Sequence, residues 1–203
     1  MGYRLYDFLP SGNAYKVRLL LHQLEIPFER IEKNILVGET RTAEFLVINP
    51  NGRIPVLEIA EGQYLAESNA ILFYLSQNTA FFPSDPWEQA QVMQWLFFEQ
   101  YSHEPNIATS RYWISILQQP EKYQAALKQK QKSGYAALKI MEKHLSKNEF
   151  FVGNKYSIAD IALYAYTHVA HEGNFDLTQF SNINQWVNTI AAQAKYIAIT
   201  EHE

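Results

Sequence analysis

The stretch that most constrains the fold of this chain is Asn49-Pro50-Asn51-Gly52-Arg53-Ile54-Pro55-Val56-Leu57-Glu58-Ile59, with Glu67-Ser68-Asn69-Ala70-Ile71 close behind it. Asn-Pro and Asn-Gly are turn dipeptides, because asparagine side chains bond nearby backbone and glycine accepts positive φ. Pro55 cannot donate to a β ladder, so it marks the start of a strand over Ile54 to Ile59. Both isomers are open to the Ile54–Pro55 bond. In the cis form the Ile54 backbone groups would be held outward, able to pair with something extended. Glu61-Gly62 separates this strand from another at Gln63 to Leu65, the pattern of a hairpin. From Ser68, the apolar residues Ala70, Ile71, Leu72 and Leu75 follow helical spacing to about Gln77. A helix starting there aims its first N–H groups back toward the strand, where they suit a carboxylate. Read for structure, these residues are a turn, a strand and a capped helix. Read for function, they are a small site for an extended, anionic, peptide-like ligand.

The preceding residues supply a companion helix start. Tyr3 through Phe8 predicts a first strand, with Tyr6 as a packing residue. Leu9-Pro10-Ser11-Gly12-Asn13 breaks that strand before a helical pattern over Ala14 to Leu21. Ser11 and Asn13 sit where small polar side chains can face a ligand, and where they can equally cap the helix. Ile26 to Glu32 begins a second strand, Gly38 to Thr42 is a polar loop, and Ala43 to Ile48 is a short helical segment. Residues 1–77 can therefore close into one α/β domain with a βαβ-like opening.

Residues 78–87 read as a linker, anchored by Phe81-Phe82-Pro83 and Asp85-Pro86. Residues 88–203 then read as predominantly helical. Helices are expected over Glu88 to Tyr101, Ala108 to Leu117, from Gln119-Pro120-Glu121 to Leu145, and over Ile183 to Ala194, with Pro105 interrupting or bending the chain. Ser157-Ile158-Ala159-Asp160 is a capping box with aspartate in the third helical position. The run after it, Ile161 to Thr167, is apolar nearly all round, so it predicts a buried helix.

Composition removes several function classes. At 203 residues and 47% apolar content the chain can bury a sizeable core. A net charge of -4 argues against a dedicated nucleic-acid binder. Lys122, Lys128, Lys130 and Lys132 read as solvated helix surface. With no cysteine, the chain has no disulfide, no cysteine nucleophile and no thiolate metal ligand. Among the six histidines, His168 and His171 could share a helical face, but no third ligand or histidine–glutamate zinc motif accompanies them. No apolar run approaches membrane-spanning length and the first residues lack a signal-peptide core, so a cytoplasmic location is expected.

Taken together, Tyr6 through Arg18, Glu44-Phe45-Leu46, Asn49 through Leu57, Glu67 through Ile71, Phe151-Val152-Gly153 and Ser157 through Asp160 resemble the cytosolic glutathione transferase family, closest to bacterial theta-like or beta-like members. The lack of cysteine departs from the beta pattern. The resemblance implies a thioredoxin-like N-terminal domain joined to an all-helical C-terminal domain that supplies the acceptor site and the homodimer contacts. It implies a cis Pro55, backbone pairing of Ile54 with the cysteinyl part of glutathione, and Glu67 and Ser68 at the γ-glutamyl end. Arg53 and Thr40 would approach the glycyl end, although Thr40 replaces the basic or amide residue common there. Ser11 matches the thiolate-stabilising serine of theta-like relatives, and Asn13 an asparagine of relatives with disulfide-bond reductase activity. Tyr101, Ile107, Tyr112 and Trp113 would be walls for a small apolar electrophile, and each is equally an ordinary packing residue. The implied activity is glutathione transfer in detoxification, with glutathione as cosubstrate and no metal. The alternatives are a glutathione-dependent disulfide reductase and a noncatalytic glutathione-binding protein of stress interactions.

Overall fold

The computed structural model describes residues 2–201, which form two compact units: residues 2–77 with 194–201, and residues 78–193. Met1, His202 and Glu203, at the ends of the expected domains, lie outside the described residues.

The first unit is built on β1 (Tyr3–Asp7), α1 (Gly12–Gln23), β2 (Phe28–Glu32), α2 (Ala43–Ile48), β3 (Val56–Ala60), β4 (Gln63–Ala66) and α3 (Ser68–Ser76). Its sheet has the order β2-β1-β3-β4, with β1 parallel to β2 and antiparallel to β3, and with β3 and β4 closing the expected hairpin. This is the thioredoxin-like arrangement. Because successive side chains of a strand face opposite ways, the register pairs Leu5 with Leu57 on one face and Tyr6 with Val56 on the other. The Tyr6 face packs under Phe45 of α2, while α1 and α3 pack against each other. Tyr6 is a core residue: its hydroxyl donates to Glu58 Oε2 at 3.3 Å, and burial followed by the Glu58 charge pushes its pKa up to about 12.

At the last residue of β1, next to Tyr6 in the chain, Asp7 and Arg18 form a buried ion pair at 2.7 Å with no accessible surface on either side chain. Arg18 also donates to the carbonyl oxygens of Leu9 at 3.0 Å and Ile199 at 2.9 Å, and the Tyr15 hydroxyl donates to that of Ile197 at 2.7 Å. These bonds place the segment 194–201 with the first unit, a correction to the expectation that it belonged to the helical domain. The tail is held through its backbone carbonyls and by the buried side chains of Ile197 and Ile199.

The second unit is all helical: α4 (Pro86–Phe98), α5 (Glu104–Arg111), α6 (Gln124–Leu145), α7 (Ile158–Thr167) and α8 (Ser181–Ala191), with shorter turns between them. The residues expected as a linker, 78–87, group with this unit. Phe81 explains why: its ring meets Tyr156 edge-on and its carbonyl accepts from the Ile158 N–H at 3.0 Å. Pro105 does not interrupt the helical path. A π-helical turn at Glu99–His103 widens the helix ahead of it, and Pro105, which has no N–H to donate, falls just past that wide turn at the beginning of α5. The end of α5 passes into a second π-helical turn, Tyr112–Ile116.

Two devices hold this unit. The capping box forms as expected, and Asp160 becomes its hub, accepting from Ser157 N, Ser157 Oγ, Phe151 N and Trp186 Nε1 at 3.0–3.2 Å. Around it Trp95, His144, Phe151 and Trp186 make an aromatic cluster of edge-on and stacked rings. In the middle of α6, Gly134 admits the Phe175 ring, which would lie 2.5 Å from any Cβ placed there. The only role for glycine at this helical position is that close approach.

Candidate functional site

Three element beginnings in the first unit carry the expected site residues. At the start of α1, Ser11 is the N-cap, with φ -73° and ψ 120°, and its Oγ accepts from the Ala14 N–H at 3.2 Å. The cap uses a lone pair and leaves the hydroxyl proton available for donation, so capping and ligand binding are compatible. Asn13 lies in the first helical turn, half-buried like Ser11.

At the start of α3, Ser68 is buried, and its hydroxyl bonds Asn13 Oδ1 at 3.3 Å. The beginnings of two helices separated by more than fifty residues are thereby joined. The residue before Ser68, Glu67, is exposed and takes φ 69° with ψ 112°. A side chain in that sparsely populated region costs about 1–3 kcal/mol and is held there by the surrounding structure. No acidic side chain occupies the first turn of α3 and the N-cap, Glu67, makes no side-chain bond to it, so the first N–H groups are not capped by a side chain.

At the start of β3 the Ile54–Pro55 bond is cis, as the resemblance implied. The backbone of Ile54 has no hydrogen-bond partner among the described residues. The turn ahead of it is stitched by Asn49: Oδ1 accepts from Asn51 N at 3.1 Å, and Nδ2 donates to the Arg53 carbonyl at 2.8 Å. Gly52 adopts φ +60°, and a Cβ there would fall 2.8 Å from the Thr40 carbonyl oxygen. Thr40 is thus packed beneath the turn with 4% of its surface accessible, while Arg41, whose Nη1 donates to the Asn51 carbonyl at 2.9 Å, and Arg53 are exposed.

The residues named as acceptor walls divide. Ile107 has no accessible surface and belongs to the core of the helical unit beside Gly134 and Phe175, which removes it as a wall. Tyr101 is 88% exposed in the first π-helical turn. Tyr112 and Trp113 are half-buried in the second, where Trp113 stacks on Tyr123 at 4.4 Å between ring centres. Of the two histidines considered as ligands, His168 is stacked on Tyr164 at 4.5 Å and its Nδ1 lies 2.9 Å from the Tyr164 carbonyl, while His171 is exposed.

One residue that sequence reasoning missed stands at the centre of the site. Lys16 has no accessible surface, and its Nζ lies 3.4 Å from Ser68 Oγ and 3.4 Å from Asn69 Oδ1. The sequence alone carried no signal for it, since a lysine within a helical window reads as a solvated surface residue.

The similarities of the chain agree with this architecture. Residues 1–77 match the family described as the N-terminal domain of glutathione S-transferase, and residues 93–194 match its C-terminal domain. Among solved structures, a glutathione S-transferase from Pseudomonas fluorescens Pf-5 is 46% identical, with 99% of this chain and 100% of that one covered and a TM-score of 0.97. The disulfide-bond oxidoreductase YfcG of Escherichia coli is 28% identical, over 92% of this chain and 89% of that protein. Elongation factor 1-gamma of Drosophila melanogaster is 31% identical over 97% of this chain, which spans only 46% of that longer protein. With a thioredoxin-like unit, a cis Pro55 and an all-helical second unit matched from one end to the other, the chain belongs to the glutathione S-transferase family.

Proposed function

We propose that the chain is a glutathione transferase whose first unit binds the tripeptide and holds its sulfur as a thiolate for attack on a small apolar electrophile. The observation that carries this reading is the joining of the starts of α1 and α3, which carry Ser11, Asn13 and Ser68, through the Asn13–Ser68 bond, together with an Ile54 backbone that has no hydrogen-bond partner among the described residues. The γ-glutamyl carboxylate suits the N–H groups at the start of α3, next to Ser68 and Glu67. The cysteinyl backbone suits Ile54, and Arg53 takes the glycyl carboxylate. The Ser11 hydroxyl and the Asn13 amide are both donors, and a donor aimed at the sulfur favours thiolate over thiol. In the reaction the thiol proton goes to solvent, a carbon–sulfur bond forms, and the leaving group departs with its electron pair. Tyr6 takes no part, since it is enclosed and holds its proton far above neutral pH.

A second reading is favoured by Asn13 and by the likeness to YfcG: attack of the same thiolate on a disulfide sulfur. A second glutathione then resolves the mixed disulfide, so that two glutathiones are oxidised as one disulfide is reduced, and no cysteine of the chain is needed. The likeness to elongation factor 1-gamma keeps a binding role without turnover in view. The partner proposed for the whole molecule is a second copy of itself, with a dimer mass in analytical ultracentrifugation as the expected result.

Steady-state turnover with glutathione against paired electrophiles and small or glutathionylated disulfides separates these readings, with glutathione binding measured on the same preparation. Faster consumption of electrophiles supports the transferase, and faster disulfide reduction moves the function to the second reading. Binding without turnover leaves the noncatalytic reading, and absence of binding removes all three.

A further inference from the structure

We infer that Lys16 is a positioning residue: its buried ammonium sets the direction of a hydrogen-bond chain through Ser68 that presents the Asn13 amide as a donor. The role assigned to the Asn13 amide rests on the functional reading above, whereas the chain of bonds does not.

The argument is one of donor and acceptor capacity. An ammonium has three donors and no acceptor, so at Lys16 the Ser68 oxygen can only accept. The single Ser68 proton is then directed to its other neighbour, the Asn13 side chain 3.3 Å away. The atom of that amide facing Ser68 must therefore be its oxygen, and the NH2 end is turned away from Ser68. Amide orientation is ordinarily ambiguous from geometry, but here the chemistry of a lysine one helical turn along resolves it. Asn69 Oδ1, also 3.4 Å from the ammonium, keeps the lysine between the two residues that open α3. At 3.3–3.4 Å these bonds are long, as active-site bonds often are before a ligand tightens them. The Lys16 side chain is fully enclosed, which keeps the direction of the chain from being scrambled by bulk water.

The assignment has a consequence for Ser68. Its proton serves Asn13, so the γ-glutamyl carboxylate is left to the backbone N–H groups at the start of α3. Ser68 then acts on the sulfur through Asn13 as well as on binding.

The test uses Lys16→Met, which keeps length and removes donors and charge, with Ser68→Ala as a second way to cut the same chain. Side-chain amide NMR of the ligand-free protein follows Asn13, its signal assigned by disappearance in Asn13→Ala. The expected result is a displaced or exchange-broadened Asn13 signal in both variants, and an unmoved signal in a folded variant overturns the chain. With glutathione bound, thiolate absorbance against pH should titrate about one unit higher in each variant, a tenfold loss of thiolate at a pH below both midpoints. Neither substitution should add to Asn13→Ala in kcat, whereas full additivity would give Lys16 a purely structural role and overturn the proposal. If Lys16→Met does not fold, Ser68→Ala alone decides between these outcomes. Absence of glutathione binding to the unaltered protein would remove the functional reading while the NMR result still decides the chain of bonds.

Discussion

At Ser11, the side-chain oxygen caps α1 through Ala14 N, and under the proposed function its proton is the group offered to sulfur. Ser11→Ala should therefore lose about 1 kcal/mol of stability from the cap and, separately, about tenfold or more of the bound thiolate. Thermal unfolding reads the first and thiolate absorbance of bound glutathione the second. Asn13→Ala should leave the cap in place, so a loss of thiolate without a loss of stability is its expected signature. If only Asn13→Ala changes the absorbance, the sulfur belongs to Asn13. Both residues were legible in the sequence because a small polar side chain between a strand and a helix start is a local pattern. Lys16 was not, because a lysine in a helical window reads as a solvated stem, and only its enclosure between α1 and α3 makes it part of the site.

Among the elements, α7 shows local and long-range information meeting in one side chain. The capping box of Ser157 and Asp160 follows from four consecutive residues. The bonds from Phe151 N and Trp186 Nε1 to the same carboxylate come from outside α7. Asp160→Ala should cost roughly 3–5 kcal/mol in urea unfolding, because it leaves buried donors unsatisfied. Near-native stability with selective loss of turnover would instead give Asp160 a catalytic role. Burial pushes the Asp160 pKa up to about 7 against its four donors, from an ordinary 3.8, so the native state keeps this proton longer than the unfolded chain. Stability from this group therefore falls as pH rises between about 4 and about 7. His168, at the end of α7, has the opposite sign. Burial lowers it to about 4 from 6.5, so the unfolded chain takes that proton first and stability falls as pH drops through the same range. Between about pH 4 and about 6.5 the unfolding free energy of His168→Gln should rise less, or fall more, with pH than that of the parent, and an identical slope in the two proteins would refute the assignment.

On the scale of the whole molecule, distant segments of the first unit meet at the Asp7–Arg18 pair. Arg18 joins β1, the turn after it and the segment 194–201, while burial raises the Asp7 carboxyl despite the guanidinium beside it. Arg18→Met would leave that enclosed carboxylate with only the longer pairing to Arg30 Nη1 at 3.4 Å, and a loss of about 3 kcal/mol is expected in chemical denaturation. A loss below about 1 kcal/mol would mean that solvent reaches Asp7. No helix among the described residues is long and apolar enough to cross a membrane.

The sequence by itself determined what depends on neighbours a few residues apart. The Asn49 turn, the hairpin at Gly62, the start of α3 at Ser68 and the capping box of α7 all rest on side chains that bond their own stretch of backbone, or on a repeat of two or 3.6 residues. Tertiary structure alone decided what depends on register and packing between distant segments: the Lys16–Ser68–Asn13 chain, the hold of Arg18 on Ile199, and the enclosure of Thr40 and Ile107. Such contacts join residues separated by as many as 182 positions. No local pattern encodes that distance, because it is set only once the sheet has paired and its helices have packed.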